Sequence, residues 1–129
     1  MRLAIYSALL LSVASHHVCA QEKQAFACAE SEVGGFKMKG RSPEHTLFQR
    51  GMFTMVREGE WVILKWQEKN EKFQCSPVYA NPDIVSCATN AYFMVIDFKA
   101  GRFTRSQMYS FIADSTDSLT VSYGTCQKF

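Results

Sequence analysis

This chain is short of the residues on which most catalysis depends. It has three histidines, and two of them, His16 and His17, fall in the leading stretch, which leaves His45 alone in the rest of the chain. A single histidine excludes metal centres built on two or three of them, and any Ser/His/Asp or Cys/His apparatus would have to use it. Glu44 and Thr46 do not form a triad with it by adjacency, so His45 reads as an exposed loop residue. No C-x-x-C pair offers a zinc site. The sequence has no P-loop, no G-x-G-x-x-G and no G-x-S-x-G, hence no nucleotide cradle and no nucleophile elbow. An excess of charge is also missing. The formal net charge is +2, and it falls to +1 if Arg2 leaves with the leader. Such a balance gives no long-range field for nucleic acid or an anionic membrane. The expectation is no cofactor, no metal, no nucleic-acid partner and no enzymatic activity.

Long apolar runs are limited to one, at the start. Met1-Arg2 is basic, residues 3–14 are apolar, and Val18-Cys19-Ala20 supplies a cleavage-compatible end. This reads as a secretory signal over 1–20, too short to span a membrane, with cleavage after Ala20. His16 and Val18 stand where a lipoprotein signal wants Leu and a small residue. Residues 21–129 then form a single β-rich domain, periplasmic or secreted, with no membrane span after cleavage and expected as a monomer.

Cleavage would reduce five cysteines to four: Cys28, Cys75, Cys87 and Cys126. An even number in a small exported chain argues for two disulfides. Three pairings are possible. Cys75–Cys87, closing a short loop, with Cys28–Cys126 joining the two ends, is the favoured one.

Helical periodicity is absent beyond the leader, and strand periodicity is plentiful. Residues 25–30 read as a first strand, Gly34-Gly35 as a turn or bulge, and 36–39 as a half-exposed strand. Ser42-Pro43-Glu44 suits a helix start, or an irregular loop running into a strand, which is preferred. Residues 51–67 read as a hairpin, turning at 57–60 into the aromatic and β-branched run 61–66. Residues 68–72 read as a charged turn with Asn70 at its tip. The stretch 76–83 holds Pro77 and Pro82, so it reads as a loop held at its base by Cys75 and Cys87. Three strands close the chain, at 92–98, 103–112 and 118–126. Phe103, Tyr109 and Phe111 share one parity, and residues 113–117 form a turn. Gly124 beside Cys126 suggests a close backbone approach. The architecture expected is all-β: a small antiparallel barrel or sandwich of seven to nine short strands, braced by two disulfides.

Candidate contact residues are chosen on exposure and rigidity. Trp61 and Trp66 have opposite parity on one strand, so one faces the core and the other outward, and Trp66 beside Lys65 is taken as a contact. Tyr79 lies in the Pro77–Pro82 loop, where bracing lowers the ordering cost of binding. Arg102 and Arg105 cluster with Lys99 near one turn and could meet an anion. Among the acids, Asp97 sits inside an apolar strand, facing outward or pairing with Arg102 or Arg105. Glu58 and Glu60 flank a turn glycine, and Glu68 and Glu71 belong to the charged turn.

The ending Phe98-Lys99-Ala100-Gly101-Arg102-Phe103-Thr104-Arg105-Ser106, then Asp117-Ser118-Leu119, then Tyr123-Gly124-Thr125-Cys126-Gln127-Lys128-Phe129, resembles that of a family of small exported proteins of Gram-negative bacteria. The resemblance covers the last third, implies export and a disulfide-containing β-fold, and implies no activity. In size, export and disulfides the chain is also similar to the small β-barrel inhibitors of lysozyme, but it lacks their Ser-Gly-x-x-Tyr loop. The function expected is therefore a non-enzymatic β-domain that binds an envelope or secreted protein, as an inhibitor or accessory factor. A small-molecule-binding barrel is the alternative, and a carboxylate-based hydrolase the third reading.

Overall fold

The computed structural model of the chain describes residues 22–39, 42–108 and 118–129. The leader, Gly40, Tyr109, Phe111 and the expected turn at 113–117 lie outside the described residues. Nine antiparallel strands run in order: β1 (Gln24–Lys39), β2 (Ser42–Leu47), β3 (Met52–Glu58), β4 (Trp61–Trp66), β5 (Lys69–Val78), β6 (Asn81–Ala88), β7 (Tyr92–Asp97), β8 (Arg102–Gln107) and β9 (Leu119–Lys128). Strands β3 to β9 each pair with the next, β3 also pairs with β1, and β9 returns to β1. Eight strands therefore close a barrel, and the sandwich alternative falls away. Closure leaves the barrel without a sheet edge.

The first strand makes closure possible. It is a single strand of 16 residues, bulged between Glu30 and Glu32. Gln24–Ala29 pairs with β3, Gly34–Lys39 pairs with β2, and β9 lies along its other side. Gly34 and Gly35 thus sit within a strand and not in a turn. A Cβ at Gly35 would collide with the Leu119 carbonyl oxygen, so glycine lets β1 and β9 come together. β2 is the ninth strand, outside the barrel. Ser42-Pro43-Glu44 is extended because β1 continues past the rim and offers it a partner. Pro43 is tolerated since β2 is an edge, where a missing ladder donor faces no neighbour.

Period-two alternation fills the lumen. Phe26, Phe53, Met55, Val62, Leu64, Phe73, Val85, Met94, Ile96 and Phe103 all point inward and form one buried cluster with Cys28, Cys75 and Cys87. In a barrel of eight strands such side chains suffice to fill the interior. Both disulfides join direct cross-strand partners. Cys28–Cys126 crosses the β1–β9 seam, and Cys75–Cys87 ties β5 to β6. Two such bridges fit an oxidising environment. Gly124 makes the close approach expected of it: a Cβ there would run into the Ala29 carbonyl oxygen and stand 2.8 Å from the Phe103 ring.

Three turns are tighter than the sequence suggests. The turn at 57–60 is only Gly59-Glu60, since Glu58 already pairs with Trp61. The charged turn at 68–72 is only Gln67-Glu68, and Lys69 already pairs with Trp66. The loop at 76–83 is also strand up to Val78 and again from Asn81. The prolines are accommodated by a register shift after Pro77, which leaves Pro82 inside a bulge with no ladder bond to supply.

Candidate functional site

The β5–β6 hairpin ends in two residues, Tyr79 and Ala80, between the paired Val78 and Asn81. Both have positive φ, 51° and 57°. Two-residue hairpins prefer this left-handed pair because its twist matches that of the strands, and Asn-Gly is the usual occupant. Here both positions carry a side chain that disfavours the conformation, since Cβ crowds the following carbonyl. The turn is nevertheless pinned. Cys75–Cys87 locks the same two strands, Asp83 donates its N–H to Asn81 Oδ1 at 3.0 Å, and Arg57 Nη2 donates to the Pro82 carbonyl at 2.9 Å. The Arg57 guanidinium also lies 4.5 Å from the Phe98 ring centroid, and Phe98 packs on Phe26 at 5.2 Å. These contacts plug that end of the barrel beneath the hairpin. Tyr79 is 99% exposed. An aromatic side chain is thus held out on a strained, anchored turn, without packing on its own fold.

The opposite end of the barrel is closed by a polar plug. Arg105 points inward from β8, its guanidinium 4.6 Å from the Tyr92 ring centroid and 4.9 Å from that of Trp66. Its Nη2 donates to Glu71 Oε2 at 3.3 Å, across the lumen from β5. Both side chains are mostly covered, at 16% and 24% exposure. Trp66 in turn stacks on Phe53, with centroids 4.5 Å apart. Two donors of this plug, Trp66 Nε1 and Arg105 Nε, are buried with no acceptor among the described residues. Another carboxylate, Glu30, accepts the Gly51 N–H at 2.8 Å. Glu71 and Glu30 are thus each engaged by a group of the fold itself.

The remaining candidates are scattered. Trp66 faces the lumen, and it is Trp61 that faces outward, with Lys72 Nζ 4.1 Å above its ring centroid. Arg102 is exposed on the outer face of β8, directly opposite Asp97 in the ladder. Asp97 itself accepts the Ala100 N–H at 2.8 Å. Lys99 is exposed at the β7–β8 turn, while Arg105 lies three positions along β8 on the inner face, so the expected cluster of Lys99, Arg102 and Arg105 does not form. Glu58 pairs with Lys23 at 3.2 Å on the surface. Among the described residues no group of three or more His, Cys, Asp or Glu is placed to hold a metal ion. Sequence reasoning misses Glu71 and Tyr92 as partners of Arg105. A signal exists for Glu71, which shares the parity of Phe73 and Cys75 and so points into the barrel once β5 is extended back to Lys69.

Set against protein-family models, curated proteins and solved structures, the chain shows no match to any of them.

Proposed function

We propose that this is an exported, non-enzymatic β-barrel that binds another protein in the periplasm or the medium, as an inhibitor or accessory factor. The observation that carries this reading is Tyr79, wholly exposed at the tip of a disulfide-braced hairpin whose two turn residues are both left-handed. Strained backbone persists where the surroundings over-determine it, and it concentrates at functional sites. A rigid aromatic anchor binds at low entropic cost, and aromatic anchors dominate binding energy when they enter a pocket. The filled lumen favours the outer surface over an internal ligand. The two carboxylates Glu71 and Glu30 are each held by a neighbour, which favours a structural role for them.

The test is native mass spectrometry of the exported protein purified gently from its producer, followed by reassembly with any co-purified protein. Changing Tyr79 to Ala should weaken that complex by roughly 30-fold, the loss of a typical hot-spot residue. A complex equally tight with Tyr79→Ala would reject the hairpin as the contact, and a bound small molecule in place of a protein would reject the reading as a whole.

A further inference from the structure

β2 and β3 lie in a single lane beside β1. Gly34 opposite Leu47 and Ala29 opposite Met52 belong to one register. The stretch between the two strands keeps it: Phe48 donates its N–H to the Val33 carbonyl at 2.8 Å, and Glu30 donates to the Gly51 carbonyl at 2.9 Å. β4 fills the next lane only beside β3. Its ladder with β3 ends at Thr54 and Lys65, and the chain then turns back at Gln67-Glu68 into β5. Among the described residues no strand occupies the rest of that lane, and β2 ends the sheet order. The closed barrel thus carries an open edge, the six residues of β2.

Parity assigns the backbone groups on that edge. Antiparallel neighbours alternate between pairs that exchange hydrogen bonds and pairs that do not. Phe48 bonds to Val33, so Thr46 and Glu44 also turn their N–H and C=O toward β1, while Leu47, His45 and Pro43 turn theirs away. Pro43 has no N–H to offer β1, which agrees with this assignment. The groups facing the vacant lane are therefore the Pro43 carbonyl and both the N–H and C=O of His45 and of Leu47. The pleat puts the His45 and Leu47 side chains on one face with Phe36, whose ring stands edge-on to His45 with centroids 5.9 Å apart. Phe36 and Leu47 are 42% and 68% exposed. Glu44 and Thr46 take the other face.

Donors and acceptors alternating at strand spacing are complementary to another strand, and not to a helix, whose own backbone groups are already paired. We infer that β2 receives an extended segment of a partner protein as a tenth strand, about five residues long, with apolar side chains beside His45 and Leu47 and polar ones beside Glu44 and Thr46. A second copy of this chain fits the lane badly in each homotypic antiparallel register. Centred on Glu44, two carboxylates stand directly opposite one another. Centred on His45, the Pro43 ring of the copy takes the place of a donor to the Leu47 carbonyl. Centred on Thr46 or beyond, Ser42 of the copy comes within two residues of Gln67, roughly 7 Å from the turn that closes the lane. A separate extended segment meets none of these obstacles. The inference is independent of the hairpin tip, which lies at the other end of the barrel.

The probe is a displayed library of linear segments of about seven residues with alternating apolar and polar positions, selected against the folded protein beside a second library of helical period. The expected result is binders from the alternating library that slow hydrogen exchange at the His45 and Leu47 amides. His45→Pro and Leu47→Pro each delete an N–H that faces the lane and spare the ladder with β1, so each should fold as the parent does and weaken binding by about tenfold or more. His45→Ala keeps that N–H and should bind within about threefold of the parent. Should His45→Pro fail to fold, Leu47→Pro compared with Leu47→Ala decides the same point. Tyr79→Asn with Ala80→Gly should leave this binding unchanged, so that the two surfaces fail separately. Binders only from the helical library, no binders at all, protection at other amides, or equal affinity in the alanine and proline variants would overturn the inference. So would concentration-dependent dimerisation abolished by His45→Pro, which would make a second copy the occupant.

Discussion

Replacing Tyr79-Ala80 with Asn-Gly should make the protein more stable and a poorer binder at once. Both residues hold positive φ, at 51° and 57°. An L-residue in the left-handed region costs roughly 1–2 kcal/mol relative to its preferred conformation, while Asn tolerates it better and Gly carries no such penalty. Tyr79 is 99% exposed, so its removal forfeits no packing. The new glycine widens the unfolded ensemble and returns about 0.5–1 kcal/mol of the gain. The net stabilisation of Tyr79→Asn with Ala80→Gly is therefore about 1–2 kcal/mol. In a domain of this size that raises Tm by roughly 5–10 °C. Urea unfolding of the oxidised protein, with calorimetry as a second probe, measures the change directly. Affinity for the partner, measured on the same preparations, should fall by roughly 30-fold. A variant no more stable than the parent would refute the strain argument. A variant more stable and equally good at binding would leave the strain argument intact and remove Tyr79 from the interface.

Three further outcomes are expected. Cys28→Ala with Cys126→Ala opens a separation of 98 residues and should cost roughly 4–5 kcal/mol, against about 3 kcal/mol for Cys75→Ala with Cys87→Ala at a separation of 12; equal losses in denaturant titrations would speak against chain entropy as the source. Gly124→Ala should destabilise by about 1–3 kcal/mol, because its Cβ meets a carbonyl oxygen and the Phe103 ring, whereas Gly34→Ala, with only Leu47 Cδ2 at 3.7 Å, should shift stability by less than about 0.5 kcal/mol. In the polar plug, Glu71→Ala should cost about 2 kcal/mol by stranding Arg105, while Glu71→Leu combined with Arg105→Met should return to within about 1 kcal/mol of the parent. A four-corner denaturation cycle decides this last case, and strictly additive losses would show that the pair is not coupled.

The sequence exposes strands where apolar and β-branched runs are bounded by turn residues, as in β3, β4, β7 and β9. It exposes their faces less well: β4 and β7 are apolar on both parities, and in β9 the apolar Val121 and Tyr123 face outward while Ser122 and Gly124 face the lumen. Both disulfides are legible because cross-strand partners impose few alternatives once the ends must meet. Pro77 and Pro82 mislead, since a bulge removes the ladder bonds that proline cannot make, and nothing local announces a bulge. Glu71 is hidden beside Glu68, Lys69 and Lys72, where so dense a run of charge reads as solvent. Its role depends on Arg105, which lies three strands away around the barrel and reaches it only across the lumen. Proximity along the chain is the wrong guide for Arg102 and Arg105 too, because three steps along a strand reverse the face.

Tyr79 shows the complementary case, in which a local rule is broken. A two-residue hairpin turn wants residues that tolerate positive φ, and this chain places Tyr and Ala there, with asparagine one position too late. The same barrel meets its close backbone approaches with glycine, at Gly35 and Gly124. At the hairpin tip the side chain is retained at a cost in backbone energy, in a position where it packs against nothing of its own fold. This combination of full exposure and backbone cost sets Tyr79 apart from Met52 or Leu47, which are exposed without positive φ, and it is the ground on which Tyr79 is proposed as a contact.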